Sequence, residues 1–122
     1  MEAEKTPAFL YEKSCKVTEP MGLCGRPSCW IALATAKSFG SAGIGRVFIR
    51  RAGDKKIADP FSIMSIMMLA AFQGAELVVY TNDPGLVEKV DALAEFINTV
   101  SLHTKVDLSI EEYGNTLMAK RT

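Results

Sequence analysis

The sequence predicts an α+β domain, an open-faced β-sandwich in which a four-stranded antiparallel sheet carries three helices on one face. The chain has 122 residues and is 48% hydrophobic, which suffices for one compact domain and a tail but not for two domains. The predicted elements follow the order β-α-β-β-α-β-α. A short turn at residues 52–54 joins two of the strands, and such hairpins pair strands antiparallel.

The first part of the chain predicts a strand, a loop and a helix. Residues 1–12 form a loose leader, and Ser14 to Thr18 form a short strand that ends before Pro20. Pro27 suits the first turn of a helix, and Gly40 suits its end because glycine readily adopts a left-handed conformation. Between them lies an apolar stripe with helical spacing: Cys29, Ala32, Leu33, Ala36 and Phe39.

The middle of the chain predicts a strand pair followed by a second helix. Arg46 to Arg51 alternates in polarity like a strand, and Lys55 to Ala58 returns after the turn. Asp59 and Pro60 offer an N-cap and a first helical turn. The helix that follows, Phe61 to Phe72, is apolar on nearly every side.

The last part of the chain predicts a strand, a third helix and an extension. Glu76 to Thr81 is a short buried strand, and Asp83 with Pro84 begins an amphipathic helix. We therefore expect one domain at residues 13–98 and a C-terminal extension at residues 99–122. Apolar and polar residues alternate from Lys105 to Glu111, which predicts an added strand or an arm.

Charge limits the classes of partner. The 14 basic and 14 acidic side chains balance, which argues against binding a nucleic-acid backbone. Residues 1–60 carry ten basic and six acidic side chains, and residues 61–122 carry four and eight. The first half could therefore face an anionic ligand or an acidic partner, although solvated surface charge explains the same asymmetry.

Cysteine and histidine usage limits metal and redox chemistry. Cys15, Cys24, Cys29 and the single His103 are too few and wrongly spaced for a disulfide framework or a metal site, so we expect no metal and no cofactor. No signal peptide is evident, and the longest apolar run, Ile66 to Phe72, is far too short to cross a bilayer. We expect a cytoplasmic protein with reduced thiols and no membrane insertion.

The loop before the first helix carries the strongest functional signal. Gly22 and Gly25 leave backbone N–H groups bare, and the helix that begins at Pro27 directs its positive end toward them. Arg26 adds a bidentate donor, so the loop suits a phosphate or phosphoryl group. The same surroundings favour the thiolate of Cys24 and hence its nucleophilicity. A second interpretation makes Cys24 an apolar filler and Arg26 a surface ion-pair partner.

The sequence Gly22-Leu23-Cys24-Gly25-Arg26-Pro27 resembles the active-site loop of HPr, the phosphocarrier protein of the bacterial phosphoenolpyruvate-dependent sugar phosphotransferase system. The pattern of that family is Gly-Leu-His-x-Arg-Pro. The interval from Ser62 to Gly74 also matches the family, where a serine opens the second helix and a glycine lies in a Gln-Gly turn. The resemblance covers residues 13–98 and implies the fold predicted above.

The resemblance places Cys24 where HPr carries its phosphoryl group on histidine. Met21 stands where the family usually has a small polar side chain. We therefore expect a regulatory or docking variant of the phosphocarrier family. One alternative is a phosphocarrier that accepts the phosphoryl group from enzyme I on Cys24, because a thiolate can form a thiophosphate ester as in some enzyme II B domains. The other is a thiol-based redox or anion sensor.

The resemblance also implies a regulatory site and a docking surface. Ser62 would be the target of HPr kinase, with a phosphate stabilised by the helix dipole, although capping by Asp59 would place Ser62 within the first turn. Ile63, Met64 and Met67 would dock on enzyme I, enzyme II A domains or the kinase, since exposed methionines adapt to different partners. Alternatively, this segment is buried, partly under the C-terminal tail.

The C-terminal tail supports one further interpretation. Its alternating stretch could pair with a sheet edge, either of its own domain or of a neighbouring copy. Self-association through the tail would follow from the second arrangement.

Overall fold

The computed structural model describes residues 9–104, which form a four-stranded antiparallel sheet with three α-helices, so the predicted α+β class is confirmed. The elements in chain order are β1 (Tyr11–Lys16), α1 (Gly25–Phe39), β2 (Val47–Arg51), β3 (Ile57–Ala58), α2 (Ile63–Met67), β4 (Glu76–Thr81) and α3 (Val87–Thr99). Short 3₁₀ turns at Gly40–Gly43 and Pro84–Leu86 follow α1 and precede α3.

The strands lie in the order β1-β4-β2-β3, and every neighbouring pair is antiparallel. The last strand of the sequence is therefore inserted between the first and the second. Val79 of β4 lies opposite Lys13 of β1 on one side and Ile49 of β2 on the other. Among the four strands of the described residues, β1 and β3 are therefore the outer ones.

The core lies between one face of the sheet and the helices. The inward side chains of the strands are buried, and α1 and α3 pack over them with Ile31, Val90 and Ile97, none of which is exposed. Full burial of such a side chain stabilises the fold by about 1.5–3 kcal/mol. On the outer face, Phe48 and Tyr80 place their rings 5.5 Å apart. This face, open and partly polar, is what the predicted sandwich requires.

Helix α1 begins two residues earlier than Pro27 suggests. Cys24 occupies the N-cap, and Gly40 ends the helix with φ +55°, as predicted. The buried stripe of α1 differs from the predicted one. Cys29 is only half-buried, whereas Ser28 and Thr35 are buried. Both hydroxyls bond within the helix region: Ser28 Oγ donates to Leu23 O at 3.0 Å, and Thr35 Oγ1 donates to Ile31 O at 2.8 Å. A buried hydroxyl group is tolerated in a core when it has a hydrogen-bond partner, as both of these have.

The largest difference between the predicted and the observed elements is the length of helix α2. It spans five residues rather than the twelve of Phe61 to Phe72. Ser62, and not Asp59, is the N-cap, since Ser62 Oγ accepts the Ser65 N–H at 3.1 Å. The Asp59 carboxylate instead accepts the Phe61 N–H in the preceding turn, at 3.0 Å. Beyond the helix, Ala70 adopts φ +53°, a conformation that no helix continues.

The boundaries of the domain also move outward. Strand β1 begins at Tyr11, so the last two residues of the predicted leader belong to the sheet, and the Tyr11 hydroxyl donates to Asp91 of α3. Helix α3 continues to Thr99, and Val100 after it is fully buried, so the folded unit passes the predicted end at residue 98. The predicted strand from Lys105 to Glu111 lies outside the described residues.

Two further observations concern residues 9–104. None of their helices is both long enough and apolar enough to span a bilayer. The same residues contain no cluster of three or more His, Cys, Asp or Glu side chains that could hold a metal ion.

Candidate functional site

The loop between β1 and α1 is fastened to the turn that follows α2. Leu23 N–H donates to Ala71 O at 2.9 Å, and Val17 N–H donates to Ala75 O at 3.0 Å. Within the loop, Gly22 N–H donates to Glu19 O at 2.9 Å. These backbone bonds fix the position from which α1 begins.

Gly22 is required by close packing. Its φ is +74°, and a Cβ at this position would lie 2.6 Å from Ala71 O, well inside van der Waals contact. Gly25, by contrast, is exposed and has no atom within 4 Å of where its Cβ would be. The structure therefore explains Gly22 by its contact with Ala71, and the phosphate-binding roles of both glycines stay predictions.

Cys24 lies at the positive end of α1. Its carbonyl accepts the Ser28 N–H at 3.0 Å, whereas its half-buried side chain makes no capping bond. Among residues 9–104, no acceptor is found for the N–H groups of Gly25 and Arg26. A partly exposed sulfur thus lies next to unpaired donors and the helix dipole, which together favour a negative charge.

Arg26 is exposed in the first turn of α1. Other arginines are held by carboxylates, such as Arg46 by Asp83 at 2.9 Å and Arg51 by Asp54 at 2.7 Å. No carboxylate within the described range pairs with Arg26. Within the described range its guanidinium therefore has no ion-pair partner, and its role in binding an anion stays a prediction.

Glu19 is a residue of this site that sequence reasoning missed. Only 5% of it is exposed, and its carboxylate accepts two backbone N–H groups at 3.0 Å each, from Met21 through Oε2 and from Leu102 through Oε1. These bonds, the one from Met21 first and the one from Leu102 second, lower the pKa of Glu19 below its ordinary value. Leu102 is 83 residues away, so no local pattern could have indicated this contact.

The exposed side chains of α2 form the second part of the site. Met64 is 66% exposed and Met67 is 39% exposed, whereas Ile63 is half-buried against the core. The turn after α2 adds Met68 at 72% and Phe72 at 65%. Of the three predicted docking residues, Met64 and Met67 are therefore exposed, whereas Ile63 offers a partner the least surface.

Met21 extends this surface to the loop before α1. It is 68% exposed, and the backbone of Phe72 lies against its neighbour Gly22. We call these five side chains the methionine face: Met21, Met64, Met67, Met68 and Phe72. The apolar run from Phe61 to Phe72 contains all of them except Met21. Their exposure could not be predicted from the run, because it depends on where α2 ends, which is at Met67.

Ser62 is the N-cap of α2, one residue before the helix that carries Met64 and Met67. Its hydroxyl accepts the Ser65 N–H, and the Ser65 hydroxyl in turn accepts the Asp59 N–H at 2.9 Å. Gly22 thus lies in the loop before α1, Cys24 at the N-cap of α1, Gly25 and Arg26 in its first turn, and Ser62 at the N-cap of α2. The regulatory role of Ser62 stays a prediction.

Comparisons with known proteins agree with this architecture. The sequence matches the family described as "PTS HPr component phosphorylation site" over residues 11–99. Comparison with curated protein sequences found no match.

Two solved structures share the fold. The phosphocarrier protein HPr from Bacillus anthracis is similar with 25% sequence identity and a TM-score of 0.54, over 71% of this chain and 95% of the other. A histidine-containing phosphocarrier protein from Mycoplasma is similar with 22% identity and a TM-score of 0.50, over 71% and 86%. Because the family match spans most of the chain, this protein belongs to the HPr family of phosphocarrier proteins of the phosphotransferase system.

Proposed function

We propose that this protein is a docking and regulatory member of the HPr family that binds phosphotransferase-system proteins without carrying a phosphoryl group on histidine. The observation that carries the proposal is the exposure of the methionine face. Four of its side chains are each about two thirds exposed: Met21 (68%), Met64 (66%), Met68 (72%) and Phe72 (65%). Large exposed apolar side chains that gather on one part of a surface mark a partner site.

The methionine face adjoins the loop that holds Cys24. The Leu23 N–H bond to Ala71 O joins the two, and Phe72 follows Ala71 directly. A partner that covers the face would therefore also cover the thiol and the Arg26 guanidinium. Unbranched methionine side chains can adjust to partners of different shape, such as enzyme I, enzyme II A domains and HPr kinase.

The identity of Cys24 supports docking over carriage. In the matched loop pattern the phospho-accepting residue is histidine, whose imidazole forms a high-energy phosphoramidate. The thiol at Cys24 is shorter and presents a different atom, so a partner arranged for imidazole would be misaligned with it. Misplacement of reacting atoms by about 1 Å can slow a reaction by about 100-fold.

A titration of the full chain with enzyme I tests the docking proposal. Met64→Glu and Met68→Glu should each weaken binding at least tenfold, because each places a charge in the centre of an apolar contact. Leu10→Glu is the matched control, since Leu10 is 52% exposed but precedes β1 at the end of the strand remote from the loop. If all three variants bind like the wild type, the methionine face is not the docking surface.

A second candidate function is phosphoryl carriage on Cys24. The Gly25 and Arg26 N–H groups and the Arg26 guanidinium, which have no partner within residues 9–104, favour it because they would stabilise the charge on a phosphoryl group. In this step the thiolate attacks the phosphorus of phosphohistidine on enzyme I, the S–P bond forms, the N–P bond breaks, and the histidine nitrogen takes up a proton.

Enzyme I with labelled phosphoenolpyruvate distinguishes the two candidates. Carriage predicts iodine-labile label that Cys24→Ser abolishes and that Cys29→Ser leaves unchanged. The docking proposal predicts that no label reaches the chain, even though the complex forms.

Ser62 is the proposed regulatory position. A phosphate on its hydroxyl would lie at the N-cap of α2, beside Met64 on the methionine face. A charge of about −1.5 to −2 there would oppose apolar docking. HPr kinase with labelled ATP should modify the wild type and spare Ser62→Ala, whereas Ser65→Ala should still be modified; label retained in Ser62→Ala would exclude this site.

A further inference from the structure

Glu19 holds the backbone of the loop that leads to Cys24. Three backbone N–H groups lie between these two residues, because Pro20 has none. They belong to Met21, Gly22 and Leu23. The Met21 N–H donates to Glu19 Oε2 at 3.0 Å, and the Gly22 N–H donates to the Glu19 carbonyl at 2.9 Å. One residue thus binds two of the three groups.

The same carboxylate reaches the turn after α3. Its second oxygen, Oε1, accepts the Leu102 N–H at 3.0 Å. Leu102 is the second residue of a turn in which the Thr104 N–H donates to Ser101 O at 3.2 Å. Glu19 is only 5% exposed, and a buried carboxylate is tolerated where its oxygens have donors. The contact therefore joins two distant segments in a defined geometry.

We propose that Glu19, bound to Met21 and Leu102, is a positioning residue that holds the loop before α1 in the arrangement that partners bind. This inference rests on the proposed docking function. The exposed Met21 side chain belongs to the methionine face, and its backbone N–H is the group that Glu19 Oε2 accepts. A loop that is already held in its bound conformation loses less entropy on binding, so the affinity for a partner rises.

The carboxylate suits this role because it only accepts hydrogen bonds, and both of its partners are backbone donors. These bonds, the one from Met21 first, lower the pKa of Glu19, so the group is ionised at neutral pH. Glutamine has nearly the same shape, but its amide NH₂ group would face one of the two donors. Glu19→Gln therefore disturbs the contact without opening a cavity.

Other bonds fasten the chain next to Glu19, so β1 stays attached when this contact is lost. Asn98, near the end of α3, accepts the Lys16 N–H through Oδ1 at 2.8 Å and the Thr18 hydroxyl through its carbonyl at 2.9 Å. Neither bond involves the Met21 N–H. Thr18→Val is the matched control, because it removes a bond to the same helix from the residue before Glu19.

Amide hydrogen exchange of the full chain, resolved by residue, tests whether Glu19 holds the loop. Glu19→Gln should speed the exchange of the Met21 and Leu102 amides by about tenfold or more, because the loop opens more readily without the carboxylate. Thr18→Val should leave the Met21 rate within about twofold of the wild type. An unchanged Met21 rate in Glu19→Gln would overturn the proposal.

A second variant removes a donor and keeps the charge of Glu19. Proline is favoured at the second position of a turn and has no N–H, so Leu102→Pro deletes the bond to Oε1. It should also speed the exchange of the Met21 amide, because the carboxylate loses one of the two contacts that orient it. This variant decides the question if Glu19→Gln does not fold, and a wild-type Met21 rate in it would overturn the proposal.

Titration with enzyme I measures the consequence for docking. Glu19→Gln should weaken binding by about fivefold or more, whereas Thr18→Val should bind like the wild type. Equal affinities of the two folded variants would assign Glu19 to stability alone and overturn its positioning role. If enzyme I does not bind the wild type, the proposed docking function is wrong, whereas the exchange rates still decide whether Glu19 holds the loop.

Discussion

At the scale of single residues, the two glycines on either side of Cys24 differ in whether the fold requires a glycine at their position. Gly22 combines a positive φ with a close approach to Ala71 O, whereas Gly25 faces open space at the start of α1. The loop sequence alone assigns both the same role in anion binding. Only the turn after α2, almost fifty residues later in the chain, separates them.

Gly22→Ala should therefore destabilise the fold by about 2–3 kcal/mol, because the new methyl group would displace Ala71 and strain the backbone. Gly25→Ala should change the free energy of unfolding by no more than about 0.5 kcal/mol. Urea denaturation of the two variants checks this pair. Equal effects of the two substitutions would contradict the packing role of Gly22.

The cysteines also differ by burial. Cys15 is 5% exposed within the sheet, and desolvation, with a smaller contribution from the charge of Glu76, raises its pKa to about 12. Cys24 and Cys29 are half-buried on α1. Alkylation of the native protein by iodoacetamide should modify Cys24 and Cys29 and leave Cys15 unmodified until the chain unfolds.

The raised pKa of Cys15 also has a consequence for stability at alkaline pH. The unfolded thiol ionises near its ordinary pKa of 9.0, while the folded thiol keeps its proton until about pH 12. Stability therefore falls as pH rises through this interval, because the unfolded state binds fewer protons. Melting temperatures from pH 8 to 11 should fall more steeply for the wild type than for Cys15→Val; parallel curves would show that the thiol does not ionise on unfolding.

At the scale of elements, α2 depends on its cap because it has only five residues. Ser62→Ala removes the acceptor for the Ser65 N–H and should cost about 1 kcal/mol. Ser62→Asp keeps an acceptor at the N-cap and should preserve most of the stability. Thermal unfolding of both variants measures this; a loss of equal size in Ser62→Asp would argue that the hydroxyl has a role other than capping.

The turn after α2 holds a strained residue in place. Ala70 has φ +53°, and the Arg51 guanidinium donates to the carbonyls of Leu69 and Ala70 at 3.1 Å each while pairing with Asp54. This turn presents the Ala71 carbonyl to Leu23. Arg51 therefore supports the Cys24 loop from a distance, through the backbone that follows α2.

Ala70→Gly should raise the free energy of unfolding by about 0.5–1 kcal/mol, since glycine relieves the left-handed strain but loses more entropy on folding. Ala92→Gly, at an exposed position inside α3, should lower it by about 1 kcal/mol. Chemical denaturation gives both values. A loss of stability in Ala70→Gly would mean that the conformation at Ala70 is not strained.

The elements show where sequence patterns suffice. The bounds of β4 and the end of α1 follow from local signals, an apolar run and a left-handed glycine, and both were predicted correctly. The length of α2 was not, because apolar residues on every side gave no periodicity to end the helix. Beyond its end Ala70 is left-handed, and the distant Arg51 binds the carbonyls of Leu69 and Ala70.

At the scale of the whole molecule, the sheet order β1-β4-β2-β3 brings separate parts of the sequence into one surface. The loop after β1, the turn after α2 and the segment after α3 meet around Glu19, Gly22 and Ala71. The Cys24 loop could be predicted from its own six residues. Its junction with the methionine face and with Leu102 could not, because both depend on contacts across the fold.

The central claim is that partners dock on the methionine face next to Cys24. The most direct test is amide chemical-shift mapping of the ¹⁵N-labelled full chain titrated with enzyme I. The account predicts the largest shifts at Met21, Met64, Met68 and Phe72, with little change at Phe48 and Tyr80 on the outer face of the sheet. Shifts concentrated on that outer face, or no shifts at all, would contradict it.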